Sequence, residues 1–290
     1  MISVIICSRT KDIPQSLKDN IAETIGIEYE LIVIDNSKNK YSIFSAYNEG
    51  VKRTQYSYLC FMHEDILFHT FNWGQIVVDH FKDSKVGLIG VVGGHYLPVC
   101  PASWWDTECR SGIIIQGYYD NEQKYITEKK SWFKYRKNSE NSISVAAVDG
   151  LWFCIPKNFF NENRFDDSTF TSFHCYDLDI CMQINKLKLE VQVIFDILIE
   201  HRSSGIHDCN LSIQKEIFFK KWYKSFPLIR GIELTKSEIN DRLLFVENMN
   251  SLNDEILKSQ NEIKRILNSK AYRLGKLILK PFSQIRNKIG

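Results

Sequence analysis

The first 62 residues alternate apolar runs with amphipathic segments, and this alternation restricts the fold more than any other feature of the chain. Apolar, β-branched runs at 2–7, 29–34 and 58–62 predict strands, and the segments 14–25 and 43–53 between them have helical spacing. Strands separated by helices at this spacing form βαβ units with parallel neighbours. The sequence therefore predicts an α/β fold, with a mixed, mostly parallel, Rossmann-like sheet flanked by helices.

The middle of the chain continues this pattern less regularly. Glycines in Gly90–Gly94 indicate that the backbone passes close to a ligand or to another strand. Residues 95–145 predict a loop-rich region with some β-structure. Further strands are predicted at 86–94, 145–155 and 191–199, and further helices at 71–81 and 176–186.

A domain boundary is predicted near residues 205–212, which divides the chain into an α/β domain (1–210) and a helical C-terminal extension without strands (211–290). Apolar residues within 242–268 recur with 4-3 spacing, as in a coiled-coil seam that would form a homodimer. The alternative is a single amphipathic helix folded against the body. The tail at 270–290 carries six basic residues and no acid, which predicts an amphipathic helix on an anionic membrane surface or a solvated terminus.

Bulk properties narrow the class of protein. The eight cysteines have no CxxC or zinc spacing, which is typical of reduced, structural thiols in the cytoplasm. No segment reaches the ~18–20 apolar residues of a membrane span. Because the net charge of +2 includes +6 from the tail, residues 1–269 carry −4, which argues against a nucleic-acid binder. We expect a cytoplasmic protein, peripheral on the membrane if the tail binds lipid.

Acidic and imidazole side chains follow two of the predicted buried strands. His63, Glu64 and Asp65 come directly after strand 58–62, and His201 follows the strand predicted at 191–199. Carboxylates at the end of an apolar run are costly to bury without a partner cation. The pattern predicts a divalent cation, Mn²⁺ or Mg²⁺, held by Asp65, His63 and His201 and completed by diphosphate oxygens.

Two further acidic positions have both a structural and a functional interpretation. Asp177 and Asp179 begin a predicted helix, where two acids favour the helix dipole; the functional alternative is that Asp177 is a general base. Asp35 ends a strand and could cap a turn or accept a hydrogen bond from a base NH or a ribose hydroxyl.

Taken in order over about residues 2–205, these segments resemble the family 2 glycosyltransferases of the GT-A fold. The resemblance is to the glycosyltransferase-like subgroup whose acidic motif reads H-x-D rather than D-x-D. The similar segments are Ser3–Cys7, Leu31–Ser37, Ala46–Gly50, Phe61–Asp65, Gly90–Gly94 with Trp104–Trp105, Val148–Gly150, Tyr176–Asp179 and His201.

The resemblance implies an inverting transfer of a sugar from a nucleotide sugar, UDP-linked, to a hydroxyl of a surface-glycan or lipid-linked acceptor. Asp177 would be the general base, and Asp65, His63 and His201 would hold the metal at the diphosphate. The implied contacts to the donor are Ser8, Arg9, Asp35, Asn48, Glu64, Asp149, Gly150 and Trp105.

Other classes compete with this interpretation. A non-catalytic module with the same fold would bind a nucleotide or glycan, but it has no need of a base. A sugar nucleotidyltransferase would need a glycine-rich loop after the first strand, and residues 8–12 contain no glycine. The sequence also departs from the family pattern at two positions. His63 stands in place of the first acid of D-x-D, and Tyr176 in place of the Glu of E-D-x-D.

Overall fold

The computed structural model describes residues 1–120, 122–137, 140–203, 209–270, 272 and 274. Its α-helices are α1 Gln15–Thr24, α2 Ile43–Arg53, α3 Trp73–His80, α4 Tyr176–Lys186, α5 Cys209–Trp222 and α6 Lys236–Asn268. No helix within these residues is both long enough and apolar enough to cross a lipid bilayer.

The strands are short and mostly buried. They are β1 Ile2–Ser8, β2 Tyr29–Asp35, β3 Tyr58–Met62, β4 Ile66–Phe68, β5 Val86–Gly90, β6 Val92–Gly94, β7 Tyr96–Leu97, β8 Arg110–Tyr119, β9 Tyr125–Trp132, β10 Ser142–Ser144, β11 Ala147–Val148, β12 Trp152–Pro156, β13 Glu190–Ile194, β14 Ile199–His201 and β15 Leu228–Ile229.

The central sheet has seven strands in the order β10-β13-β5-β12-β3-β1-β2. The β1–β2, β1–β3 and β13–β5 pairings are parallel, and the other three are antiparallel. The mixed α/β class is therefore confirmed, although the sheet is evenly mixed rather than mostly parallel. The departure arises at β12, which inserts antiparallel between β3 and β5; its apolar run resembles a parallel strand in sequence because it is buried on both faces.

A second sheet, in the order β11-β6-β8-β14-β4 with β9 paired to β8, corrects two predictions. Residues 110–132, predicted as mostly loop, form a long antiparallel hairpin. The strand predicted at 191–199 is two strands, because β13 lies in the central sheet and β14 in the second one. His201 therefore reaches the site on a different sheet from β13.

The glycines near β6 allow close approach between backbones, which agrees with the prediction for Gly90–Gly94. A Cβ at Gly93 would lie 2.3 Å from the carbonyl oxygen of Ala147 in the neighbouring strand β11. Gly112, opposite Val92, has a φ of +143° that side chains rarely adopt. The close neighbour of Gly93 is therefore strand β11.

The chain divides into two compact units, Met1–Leu243 and a second that begins at Leu244. Helix α5 and the short strand β15 belong to the first unit, so the prediction of no strands beyond residue 212 is wrong. The functional division at residue 210 stays a prediction.

In α6, six residues of the predicted seam are 41–56% exposed, and the homodimer stays a prediction. They are Phe245, Met249, Leu252, Ile256, Ile263 and Ile266. The predicted tail lies outside the described residues, except positions 270, 272 and 274.

Helices α4 and α5 are joined by a buried ion cluster. The Asp179 side chain is 1% exposed, and its Oδ1 lies 2.6 Å from Lys221 Nζ and accepts a hydrogen bond from Trp222 Nε1 at 2.7 Å. The same Lys221 ammonium donates to Asp166 Oδ2 at 2.7 Å. A buried carboxylate needs such partners, so Asp179 ties α5 to α4 and does not face the site.

We expect Lys221→Met to lower the free energy of unfolding by about 3 kcal/mol, because it retains the aliphatic stem but leaves a buried carboxylate without its cation. Lys220→Met is the matched control. Its ammonium is exposed and, among the residues that the structure describes, pairs only with Glu216, so the substitution should change stability by less than about 1 kcal/mol. Denaturant-induced unfolding of both variants measures the difference, and equal effects would contradict the role of the cluster.

Candidate active site

A cavity of about 670 Å³ lies at the carboxyl ends of β1 and β3. Because these strands are parallel, with Ile6 beside Met62, the turns that follow them meet at one edge of the sheet. The end of β11, the first turn of α4 and the end of β14 also contribute to the wall. The predicted site residues that line the cavity are Ser8, Arg9, His63, Glu64, Asp65, Asp149, Gly150, Asp177 and His201.

Three predicted donor contacts do not line this cavity. Asp35 is exposed and accepts hydrogen bonds from the backbone and the hydroxyl of Ser37. These contacts agree with the alternative role given above, in which Asp35 caps a turn. Asn48 uses both ends of its amide on the backbone of Phe165. Trp105 is 39% exposed, with the Arg110 guanidinium 3.6 Å from its ring centroid.

The second sheet brings His201 to Asp65. Strand β4 begins directly after Asp65 and pairs antiparallel with β14, so that His201 lies opposite Ile66. The backbone N–H of Arg202 then donates to the Asp65 carbonyl at 2.8 Å. On the other side of β14, the Gln116 amide donates to the carbonyls of His201 and Ser203. The position of His201 thus depends on strand pairing on both sides.

His63, Asp65 and His201 form a group with one ligand atom each, all within 4.8 Å of one another. Asp65 Oδ1 lies 3.7 Å from His201 Nε2 and 3.9 Å from His63 Nδ1. This oxygen is buried, and it has no hydrogen-bond partner among the residues that the structure describes. A buried carboxylate oxygen aimed between two imidazoles is the arrangement that a shared cation would satisfy. The residues present therefore fit a divalent ion.

The remaining contacts keep this group in the form that binds a cation. Ser203 Oγ donates to Asp65 Oδ2 at 2.7 Å. Burial acts to raise the pKa of Asp65, but the Ser203 hydrogen bond and the two histidines outweigh it and hold that pKa below its ordinary value. Burial also lowers the pKa of His63, which favours the neutral imidazole that metals require.

Glu64 has a different role from its two neighbours. Its carboxylate accepts hydrogen bonds from Ser8 Oγ at 2.5 Å and from Arg9 Nε at 2.8 Å. It therefore joins the turn after β3 to the turn after β1. The Arg9 side chain remains 73% exposed, which leaves its guanidinium accessible at the cavity.

Asp177 also lines the cavity, where two backbone N–H groups hold its carboxylate. Its Oδ2 accepts a hydrogen bond from the Gly150 backbone N–H at 3.1 Å, and its Oδ1 accepts one from the Leu178 backbone at 2.9 Å. Burial, with the nearby Asp149 carboxylate, raises the pKa of Asp177 to about 7. A carboxylate that titrates near neutral pH is suited to proton transfer.

The charge on the described cavity wall is unbalanced. Glu64, Asp65, Asp149 and Asp177 are acidic, whereas Arg9 is the only Lys or Arg among the described lining residues. Such a wall repels an anionic ligand unless a cation is present. The cation group and the excess of carboxylates therefore both favour a bound cation in this cavity.

Several cavity residues were not among the predicted site residues. Ser203 follows the predicted His201 by two positions and donates a hydrogen bond to Asp65, and this nearness in sequence to His201 was the available signal. Trp104 and Phe173 line the cavity as well, but neither sequence position distinguishes a cavity aromatic from a core one. Tyr176 also lines it, and its hydroxyl lies 2.6 Å from His63 Nε2.

Comparison with known proteins places these observations in context. Residues 3–222 match the sequence model of a family described as glycosyltransferase-like. No curated protein matches the sequence. The structure of GalNAc-T7 with UDP, GalNAc and Mn²⁺ is similar over 77% of this chain and 49% of that one, with 10% identity and a TM-score of 0.50. This chain thus spans about half the length of GalNAc-T7, and the likeness is one of fold.

The mannosyltransferase PcManGT from Pyrobaculum calidifontis, in complex with GDP-Man and Mn²⁺, matches with a TM-score of 0.48 and 9% identity, over 95% of this chain and 83% of that one.

We expect the protein to bind Mn²⁺ in the absence of any nucleotide, and Asp65→Asn to weaken that binding at least about tenfold, because it removes the charged oxygen of the group. Glu200→Gln is the control. Its carboxylate adjoins His201 in sequence but contacts His69 and Tyr125. Calorimetric titration with Mn²⁺ measures both. Equal Mn²⁺ affinity in the two variants would contradict the assignment of the cation group.

Proposed function

This chain belongs to the glycosyltransferase-like family, and we propose that it transfers a sugar from a UDP-sugar to an acceptor hydroxyl with inversion at the anomeric carbon. Family membership and the GT-A-like fold support glycosyl transfer. The observation that carries the proposal is the joint presence in one cavity of a cation group and of a carboxylate with a pKa of about 7. Leaving-group stabilisation and proton removal are the two tasks of such a transfer.

His63, Asp65 and His201 would hold the ion, and the ion would supply positive charge at the departing diphosphate. The donor set of two imidazole nitrogens and one carboxylate favours Mn²⁺ over Mg²⁺, because imidazole suits transition metals and Mg²⁺ prefers oxygen. Arg9 adds a guanidinium at the same edge, where Glu64 holds it. Four carboxylates on the wall make this positive charge necessary for a diphosphate to bind.

Asp177 would accept the proton of the acceptor hydroxyl. The oxygen of that hydroxyl would bond to the anomeric carbon as the bond between this carbon and the diphosphate oxygen breaks. The Gly150 and Leu178 backbone N–H groups orient the carboxylate for this step. Because burial raises its pKa, Asp177 is a stronger base than an exposed aspartate would be. Asp149 and Gly150 would form the wall next to the donor sugar, between the cation group and the base.

The acceptor and the cellular location rest on the sequence. A surface-glycan or lipid-linked acceptor, and a peripheral position on the cytoplasmic face of a membrane, follow from the family resemblance and from the basic residues at 270–290. Asp35, Asn48 and Trp105 stay predicted donor contacts. They would need to act from outside the cavity that the other residues line.

A panel of UDP-, GDP- and dTDP-sugars, titrated with and without Mn²⁺ or Mg²⁺, tests the donor. We expect one UDP-sugar to bind only when metal is present, and Asp65→Ala to abolish that binding, because Asp65 would help to hold the ion that offsets the diphosphate charge. Hydrolysis of the bound donor gives a second readout. Absence of binding to every nucleotide, with and without metal, would contradict the transferase and favour the glycan-binding module.

We expect Asp177→Asn to reduce transfer by ~10²–10⁴-fold and to leave donor binding intact, because it removes only the base. With a pKa of about 7, the wild-type rate should rise about tenfold between about pH 6 and about pH 8, as the carboxylate form becomes dominant. The residual rate of the variant should lack this rise.

Stability supplies the control for Asp177→Asn. The folded-state pKa of about 7 lies above the ordinary value of 3.8, so the native protein binds more protons than the unfolded chain between these values. Wild-type stability therefore falls as pH rises through this window. The Asn variant lacks that loss and should be at least as stable as wild type above neutral pH. A variant that loses both activity and stability there would contradict the role of base.

A further inference from the structure

Both ring nitrogens of His63 lie near a polar atom of another residue. Nδ1 faces the cation group, 3.9 Å from Asp65 Oδ1. Nε2, on the opposite edge of the ring, lies 2.6 Å from the hydroxyl of Tyr176. A neutral imidazole carries one proton, so the partner of one nitrogen decides which lone pair the other presents. For Nδ1 to bind an ion, the proton must be on Nε2.

We propose that Tyr176 is a positioning residue of the cation site: its hydroxyl accepts the Nε2–H of His63, orients the ring and leaves the Nδ1 lone pair for the metal. Metal-bound histidines commonly donate their other N–H to an oxygen acceptor, which fixes the tautomer and the orientation of the ring. A phenolic oxygen takes that place here. The inference rests on the proposed function only in assuming that this group holds a divalent ion.

The surroundings of Tyr176 hold its hydroxyl in place. The residue is 4% exposed and is the first residue of α4. Its ring packs against Tyr47 and Phe44, with centroid distances of 5.6 and 6.3 Å. A buried ring in such a cluster has little freedom to rotate away. The acceptor oxygen is therefore preorganised for His63.

Gly150 provides the space that this contact needs. A Cβ at position 150 would lie 2.1 Å from the Tyr176 hydroxyl oxygen, which is far inside van der Waals contact. The Gly150 backbone also donates to Asp177, the residue after Tyr176. One glycine thus accommodates the partner of His63 and orients the proposed base.

The contact also connects the two departures of this sequence from the family pattern. His63 stands where the pattern has an acid, and Tyr176 stands where it has a glutamate. An imidazole ligand needs an acceptor behind it, whereas a carboxylate ligand does not. In this chain the tyrosine supplies the acceptor that an imidazole ligand uses.

Titration with Mn²⁺ alone tests the inference on wild type, Tyr176→Phe and Tyr47→Phe. Tyr176→Phe should weaken Mn²⁺ binding by ~10–100-fold, the usual cost of losing an outer-shell partner. Tyr47→Phe is the matched control. Its hydroxyl is buried in the same ring cluster and has no hydrogen-bond partner among the described residues, so the Mn²⁺ affinity should stay at the wild-type value.

The tautomer itself gives a readout that a structural role would not change. Histidine ¹⁵N spectra of the protein with Zn²⁺, which is diamagnetic, should show His63 protonated at Nε2 and bound through Nδ1. This measurement on wild type can overturn the inference even if Tyr176→Phe does not fold. Metal bound through Nε2 would overturn the inference.

The outcomes separate the inference from the proposed function. Wild-type Mn²⁺ affinity in Tyr176→Phe would overturn the role of Tyr176, while metal-dependent binding of a UDP-sugar would leave the transferase intact. A wild-type protein that binds no Mn²⁺ would also overturn the inference. Failure to bind any nucleotide sugar would count separately, against the proposed function.

Discussion

The site depends on one buried carboxylate oxygen, Asp65 Oδ1, which lies between two imidazoles and has no hydrogen bond from any described residue. Leaving such an oxygen unsatisfied is costly in a protein interior. A cation that it shares with His63 and His201 would remove that cost. The same cation would offset the excess of acidic groups on the cavity wall, so that a diphosphate could approach. In the proposed function, donor binding, metal binding and stabilisation of the leaving group would therefore all depend on this atom.

Helix α4 connects the reactive groups with the scaffold. Its first two residues, Tyr176 and Asp177, line the cavity, and the Tyr176 hydroxyl contacts His63. Two positions later, Asp179 turns away from the cavity and is held by Lys221 and Trp222 of α5. Because successive residues of a helix are rotated by about 100°, the side chain of Asp179 points in a different direction from those of Tyr176 and Asp177. The ion cluster on the far side thus anchors the turn that carries the proposed base.

Local pattern was sufficient for much of the fold. The alternation of strands and helices up to Met62, the helix at 176–186 and the long C-terminal helix all follow from periodicity, which short-range sequence expresses directly. Pattern failed where pairing is non-local. Strand β12 runs antiparallel, strand β9 of the β8–β9 hairpin is polar and largely exposed, and β13 and β14 separate into different sheets. None of these features changes the local spacing of apolar residues.

For the site, the sequence by itself determined which groups are available: an H-x-D step after a buried strand, an acid at a helix start and a histidine after an apolar run. Only the tertiary structure decided which of them meet. The antiparallel pairing of β4 with β14 brings His201 to Asp65, and the packing of α4 places Tyr176 against His63. It also left Asp35, Asn48 and Trp105 outside the cavity. The sequence states which side chains, and therefore which chemical groups, are present. Whether these groups share a site depends on the distances between them, which strand pairing and helix packing set.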